Sequence, residues 1–494
     1  MRSAIASVLI FASFQSLNGL SSITNSRLNY FDIDLLRYAA EDKSGNVMVS
    51  PASIKSTLAM ILEGAHGTTA DQIQSALRLL PNKKNFREEL SIFLKALQIN
   101  TPSLSLQNAN GLFVSETLNL KNNYEKIARN TYLSDVNKLD FNYPKTAADA
   151  INRWVNIKTH GKIPSIVDQE QIDPLAELLV TNALYFKGTW LHQFEVNLTH
   201  GDCFYNDGVC RTVAMMDLQA ELNYAYVENL RAHALELPYK GKHYSMILLV
   251  PQDRKGELAL IRDLPYIGVP EIINEMEPSE VILTMPKFTV EYSDDLVPAL
   301  KHMHITDLFS PFANLSGILE GTTGFLSNIY HKVHMSVDET GTVAAAASAG
   351  MVVPLINDEI QLRVDRPFLF FIIDNERGVV LFEGKIEEPT EFVAVLQRNG
   401  YVEYEDQRQG QGQNQDTSQS IQPNLGLNQF EQSHSVSSKP GPIQSLRHQL
   451  SVSQPTSSPV PNQPIWTQPP QEDEAPYAKK SYVSWYSRLS GYFG

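Results

Sequence analysis

"DETGTVAAAASAGMVVPLIN" (residues 338–357) is a run of tiny side chains that ends in an oily tip. Its four consecutive alanines favour helix, yet Gly341 and Thr342 stand before them, Gly350 follows, and Val352 and Val353 run into Pro354. A helix here would be short and marginal alone. The run follows "HKVHMSV" (331–337), which reads as a strand. In a strand an offset of three puts His331 and His334 on opposite faces, so they cannot share one metal ion, and His331 is read as a structural, hydrogen-bonding histidine. The question is what kind of fold places such a tract between strands.

Working outward, residues 25–392 alternate helical and strand-like periodicities. In "VSPASIKSTLAMILEGAHGTTADQIQSAL" (49–77), Ser50 caps a helix with Pro51 at its first position, and Leu58, Ile61 and Leu62 form an apolar stripe before Gly64. Thr69 with Gln72 three residues on predicts a second helix opened by a capping box. Strands are predicted in "LLVTNALYFKGTW" (178–190), "YSMILLVP" (244–251), "VILTMPKFTVEY" (281–292), and the pair "FLFFIID" and "GVVLFEGKI" (368–386). The pattern predicts an α+β domain with large buried sheets.

The chain has 494 residues, 43% of them hydrophobic, and a net charge of -15, which argues against nucleic acid as a partner because phosphate binding needs clustered Lys and Arg. Residues 1–21 read as a secretory signal peptide, with Arg2, an apolar stretch over 4–14 and small residues over 19–22; the alternative is a buried N-terminal helix. No later run reaches the roughly twenty apolar residues of a membrane span. Cys203 and Cys210 bracket "FYNDGV", whose Asn206, Asp207 and Gly208 are hairpin-turn residues, so the flanking strands would bring the sulfurs face to face. An oxidising compartment then predicts one small-loop disulfide, the alternative being two buried thiols. Asn197 and Asn314 open glycosylation sequons.

Beyond residue 392 the composition turns Gln-, Ser- and Pro-rich, which predicts a disordered tail over 393–494. At its end Tyr482, Trp485, Tyr486, Leu489 and Phe493 share one helical face beside Lys479, Lys480 and Arg488, a pattern for a partner- or membrane-contacting helix that competes with an unstructured end. The tail's partner is not readable.

Signatures of catalysis fail: there is no G-x-S-x-G, H-E-x-x-H, P-loop or dinucleotide-binding glycine fingerprint, and no metal or cofactor is called for. The chain instead resembles the serpins across nearly all of 25–392, on "NVMVSPASI" (46–54), "NGLFVSE" (110–116), "THGKI" (159–163), "TNALYFKGTW" (181–190), "ANLSGI" (313–318), "HKVHMSVDETGT" (331–342), "DRPFLFFIID" and "LFEGKIEEP" (365–389). Each motif alone is weak; their joint order and spacing is specific.

The resemblance implies a serpin domain over 22–392, with three β-sheets, eight to nine helices and an exposed reactive loop, and a protein that is not an enzyme. A target serine protease cleaves the loop, and the loop then inserts into the main sheet and traps the acyl-enzyme. Loop insertion of this kind is a general worked case of strand addition and released strain. The resemblance assigns Glu339, Gly341, Thr342, Val343, Ala344, Ala345, Ala346, Ala347 and Ser348 to the loop hinge. The residues agree independently, since on alternation Thr342, Ala344, Ala346 and Ser348 share one face and all are small. Val343 departs from the glutamate usual in inhibitory members, and Gly350 is flexible where insertion would run out.

Family spacing puts the residue before the reactive bond sixteen residues after Glu339, at Leu355 with Ile356 after it, and Ile356 or Met351 as alternative registers. A large apolar bait suits chymotrypsin-like or elastase-like proteases; no Arg or Lys lies in 343–362, which disfavours trypsin-like ones. The family also places Ser50, Ser53, Asn182 and His331 as a polar cluster under the main sheet, and Trp190 where insertion begins. Lys83, Lys84 and Arg87 form a basic run interrupted by Glu88 and Glu89, which offers at most weak glycosaminoglycan contact. The rival reading is a non-inhibitory carrier, chaperone or interaction module of the same fold.

Overall fold

The computed structural model describes residues 30–79 except 42, 86–341 except 102, and 359–393, with short strands at 395–396 and 402–403. The expected signal peptide, the hinge residues Thr342, Val343, Ala344, Ala345, Ala346, Ala347 and Ser348, the bond at Leu355 and Ile356, Lys83 and Lys84, and the tail with its aromatic end, apart from residue 393 and the antiparallel pair 395–396 and 402–403, lie outside these residues.

Apolar runs become strands close to their expected bounds: Tyr244–Pro251, Phe368–Asp374 and Val379–Ile386 are buried at nearly every position, as in a sheet covered on both faces. The stretch "VILTMPKFTVEY" is divided into Glu277–Pro286 and Phe288–Asp295, which belong to different sheets. Pro286 has no amide hydrogen to continue the first ladder.

Among the described residues the main sheet has six strands, in the order Phe288–Asp295, Leu326–Val337, Leu178–Gly188, Leu104–Ser115 and Asn100–Thr101, with Asp135–Leu139 also paired to Leu104–Ser115. The other two expected sheets merge into one array, nine-stranded among the described residues. They merge because Val209–Val227 is 19 residues long and pairs in turn with His200–Asn206, Glu277–Pro286 and Ala232–Pro238.

Nine α-helices lie among the described residues, the first over 30–40. Helix Pro51–Leu62 starts as expected, with the Ser50 side chain accepting from the Ser53 amide. Every residue in it is buried, so Leu58, Ile61 and Leu62 belong to a helix enclosed all round instead of one stripe. The capping box at Thr69 and Gln72 does not form; the helix begins at Gly67 with no side-chain cap. Thr69 Oγ1 accepts from the Asn314 amide, and Gln72 Oε1 from the amides of Thr306 and Asp307. Donors on a neighbouring loop outcompete the local cap.

The main sheet separates two cores, and period-two alternation sorts its side chains between them. Leu178, Val180, Leu184 and Phe186 enter the larger core, whereas Leu179 and Ala183 pack under helix Pro144–Lys158 with Ile151, Val155 and Tyr330. Asn182 therefore falls in the inner apolar row, and its register partner His331 falls in the matching row of Ile329, Val333 and Met335.

Candidate functional site

Strands Leu178–Gly188 and Leu326–Val337 are parallel neighbours, paired from Leu178 with Leu326 to Phe186 with Met335, with a one-residue register shift between Leu326 and Asn328 and continuous register from there on. A chain that leaves the top of Leu326–Val337 and reverses runs antiparallel to both, so it could pair with each if they parted. The tract from Thr342 onward follows such a reversal.

Beneath the middle of this pair lies a dry polar cluster. The Ser50 amide donates to His331 Nε2 at 3.1 Å, so Nε2 holds the lone pair; Nδ1 then carries the proton and donates to Asn182 Oδ1 at 2.7 Å. Asn182 Nδ2 donates to Ser53 Oγ and Asn110 Oδ1, Ser53 Oγ reaches Asn108 Oδ1 at 3.4 Å, and Ser50 Oγ donates to the Leu381 carbonyl at 2.7 Å. The structure thus brings Ser50, Ser53, Asn182 and His331 together and adds Asn108 and Asn110. The only local signal for those two was polar residues two apart in an apolar strand.

Burial pushes the His331 imidazole down to about 3 and keeps it neutral. A histidine depressed in the fold contributes stability that is present above its ordinary value of about 6.5 and is lost as pH falls toward the folded value. At pH 5 the loss is expected to be about 2 kcal/mol relative to pH 7. Urea-unfolding midpoints at the two pH values check this, with His331→Gln expected to remove the histidine's share of the difference.

The reversal itself is pinned at the top of the pair. The Trp190 amide donates to the Thr340 carbonyl at 3.1 Å, Trp190 Nε1 to the Asp338 carbonyl at 3.0 Å, and the Phe194 amide to the Glu339 carbonyl at 2.9 Å. The Asp338 carboxylate accepts from the Thr340 amide and hydroxyl, closing the turn. The Glu339 side chain is buried, takes a 2.6 Å hydrogen bond from Thr199 Oγ1 and lies 3.0 Å from Lys287 Nζ. Trp190 stacks on Tyr239 with centroids 4.5 Å apart. Gly341, at φ +114°, sits so close that an added Cβ would lie 2.3 Å from the Gly188 carbonyl oxygen. Sequence reasoning found Trp190, Glu339 and Gly341 but missed Thr199, Lys287 and Tyr239, which arrive from distant segments.

Other expected residues lie away from this slot. Cys203 and Cys210 form a disulfide with Cα atoms 5.1 Å apart. The pairing is diagonal instead of face to face: Cys203 opposes Thr212 and Cys210 opposes Tyr205. The reason is that the hairpin turn takes only Asp207 and Gly208, both at positive φ. Asn197 is exposed; Asn314 is half-buried, and its Oδ1 accepts from Ser316 Oγ at 2.7 Å. Arg87 is held by both carboxylate oxygens of Glu63, at 2.5 and 2.6 Å, so its charge is engaged within the fold. His334 stacks on Tyr185, on the face opposite His331. No described helix is long and apolar enough to cross a membrane.

Comparison with known proteins agrees with this geometry. The family profile described as serpin (serine protease inhibitor) matches residues 26–389. Intracellular coagulation inhibitor 1 of Tachypleus tridentatus is 36% identical over 381 residues, covering 75% of this chain and 90% of that protein. The leukocyte elastase inhibitor of Sus scrofa is 34% identical over 378 residues, covering 74% and 99%. Among solved structures, Serpin48, a highly specific serpin in the insect Tenebrio molitor, superposes with a TM-score of 0.66 at 28% identity, over 73% of this chain and 97% of that one. With the sheet topology, the polar cluster and the pinned turn in place, the profile and these relatives lead to one conclusion: the chain belongs to the serpin family.

Proposed function

We propose that this chain is a secreted inhibitor that traps a chymotrypsin-like or elastase-like serine protease as a suicide substrate, with Leu355–Ile356 as the bait bond. The observation that carries the reading is the turn Asp338–Gly341, held over a closed pair of parallel strands and leading directly into the run of small residues. The protease's serine adds to the Leu355 carbonyl, the bond to Ile356 breaks, and the amine of Ile356 leaves with the C-terminal fragment. The Leu355 acyl ester remains on the protease. The residues after Gly341 then enter between Leu178–Gly188 and Leu326–Val337, stabilised by two new ladders, before water completes deacylation. Catalysis is the target's; this chain supplies bait and spring.

One relative carries "intracellular" in its name. Two features of this chain favour export, the signal-like residues 1–21 and the Cys203–Cys210 disulfide. Exposed Asn197 would then be available for glycosylation. The inhibitory domain would span 22–392, with the Gln-, Ser- and Pro-rich segment 393–494 appended to it.

Mixing purified protein with chymotrypsin should give a covalent complex on a denaturing gel and a released fragment that begins at Ile356. Loop cleavage without any complex, repeated with elastase-like and cathepsin-like proteases, would replace the inhibitory reading with the carrier one. Leu355→Arg is expected to cut the rate of trapping chymotrypsin about a thousandfold and to create trapping of trypsin. The reason is that an unpaired guanidinium in an apolar pocket costs on the order of 4 kcal/mol. Rates of complex formation with both enzymes check it.

A further inference from the structure

Two carboxyls and one ammonium share a water-excluded site formed by helix 30–40, helix Pro51–Leu62 and strand Val379–Ile386. Lys55 Nζ lies 2.5 Å from Asp32 Oδ1, and both side chains are 2% exposed. Glu383 is fully buried, and its carboxylate oxygens have no hydrogen-bond partner of good geometry; the backbone amide of Leu36 favours its ionised form, but less than burial and Asp32 oppose it. The ammonium also sits 4.5 Å from the centre of the Phe93 ring, so one side of it is aromatic. Fully ionised, the three groups would carry one uncompensated negative charge in an apolar enclosure. Such a charge is costly enough that the site retains a proton instead.

We propose that Asp32, Lys55 and Glu383 form a proton-holding latch that sets an alkaline limit to the native fold, with Glu383 kept as the neutral acid. Its ionisation would leave an unpaired carboxylate between the two helices and the strand. The groups facing Glu383 support this assignment. Helix 30–40 presents Asp32 and Asp34, both acidic; Asp34 is itself raised by burial against the pull of Arg78 and Arg37, with His304 nearby. Helix Pro51–Leu62 presents the single base, Lys55, and Phe86–Ala96 presents the Phe93 ring. The cross-strand neighbours of Glu383 are Val49 and Phe371, both apolar. Burial first, and then the negative charge of Asp32, push the Glu383 carboxyl well above the usual range; burial raises Asp32 to about 6 against the pull of Lys55.

The latch borders the polar cluster under the main sheet. Ser50, which donates to the Leu381 carbonyl, caps the helix that carries Lys55, and Glu383 lies two residues beyond Leu381. The two buried sites therefore act at opposite ends of the pH scale: His331 must stay neutral against acid, and Glu383 must stay neutral against base. An acid whose folded value is raised makes the fold lose stability as pH climbs above the unfolded value, until the folded group ionises. That loss is about tenfold in the unfolding equilibrium per pH unit for one group.

Urea unfolding of the full chain between pH 7 and 9.5, followed by circular dichroism, tests the latch. Glu383→Gln keeps the shape of the neutral acid and removes its proton. It should remove about a tenfold decline per pH unit and be the more stable protein at pH 9. Asp32→Asn removes the negative charge that opposes ionisation of Glu383 while Lys55 stays nearby, and it should flatten the same slope by letting Glu383 ionise. A slope unchanged from the natural protein in Glu383→Gln overturns the proposal, and so does an unchanged slope in Asp32→Asn if the first variant does not fold.

Discussion

Ala346→Arg is expected to turn the trap into a plain substrate: chymotrypsin still cuts at Leu355–Ile356, and the covalent complex disappears. Ala346 lies five residues beyond Gly341, so a strand descending from the pinned turn would bring it near the level of Ala183 and His331. Both faces of the main sheet are covered there. The inner face holds the His331 and Asn182 cluster, and the outer face packs Ala183 and Tyr330 under helix Pro144–Lys158. An arginine at Ala346 would therefore be buried without a counter-ion whichever way it pointed, at a cost of about 3–5 kcal/mol. That corresponds to a shift of on the order of a hundredfold to several thousandfold from trapping toward hydrolysis. The stoichiometry of inhibition and the ratio of complex to cleaved protein on a gel measure it directly. Full trapping by the variant would show that this segment does not enter the sheet.

Gly341→Ala is expected to destabilise the native state by about 3 kcal/mol or more. Its φ of +114° is hostile to any side chain, and an added Cβ would stand 2.3 Å from the Gly188 carbonyl oxygen, 2.6 Å from the Trp190 nitrogen and 2.7 Å from the Thr189 Cα. All three obstacles are backbone atoms, so no rotamer change relieves them. The turn must lift instead, which weakens the bonds from Trp190 to Thr340 and Asp338. A lower urea midpoint, together with greater access of a fluorescence quencher to Trp190, is the expected result. An unchanged midpoint would mean the turn is not held against the strand end.

Much of this architecture was legible in the chain because it is written locally. Continuous apolar runs marked the enclosed strands, the turn residues Asn206, Asp207 and Gly208 marked the hairpin, and separated motifs marked the family. Where a local signal failed, a distant donor had outbid it. Thr69 and Gln72 gave up their capping box to the amides of Asn314, Thr306 and Asp307, which no inspection of residues 66–76 could reveal. The diagonal disulfide likewise depended on register, which shifts with the length of the turn.

By itself, then, the sequence determined the most apolar strands, at 178–188, 244–251 and 368–386, that a tract of small residues follows a strand, and which family the order of motifs belongs to. These depend on side-chain size, branching and period along the chain. Tertiary structure alone decided which polar groups are dry. Lys55 and Glu383 look locally like ordinary charges in a helix and a strand, and Asn108, Asn110, Thr199 and Lys287 like ordinary polar residues. They became parts of buried networks only because elements far apart in sequence close over them. Exclusion of water belongs to the assembled packing, and no single stretch of the chain encodes it.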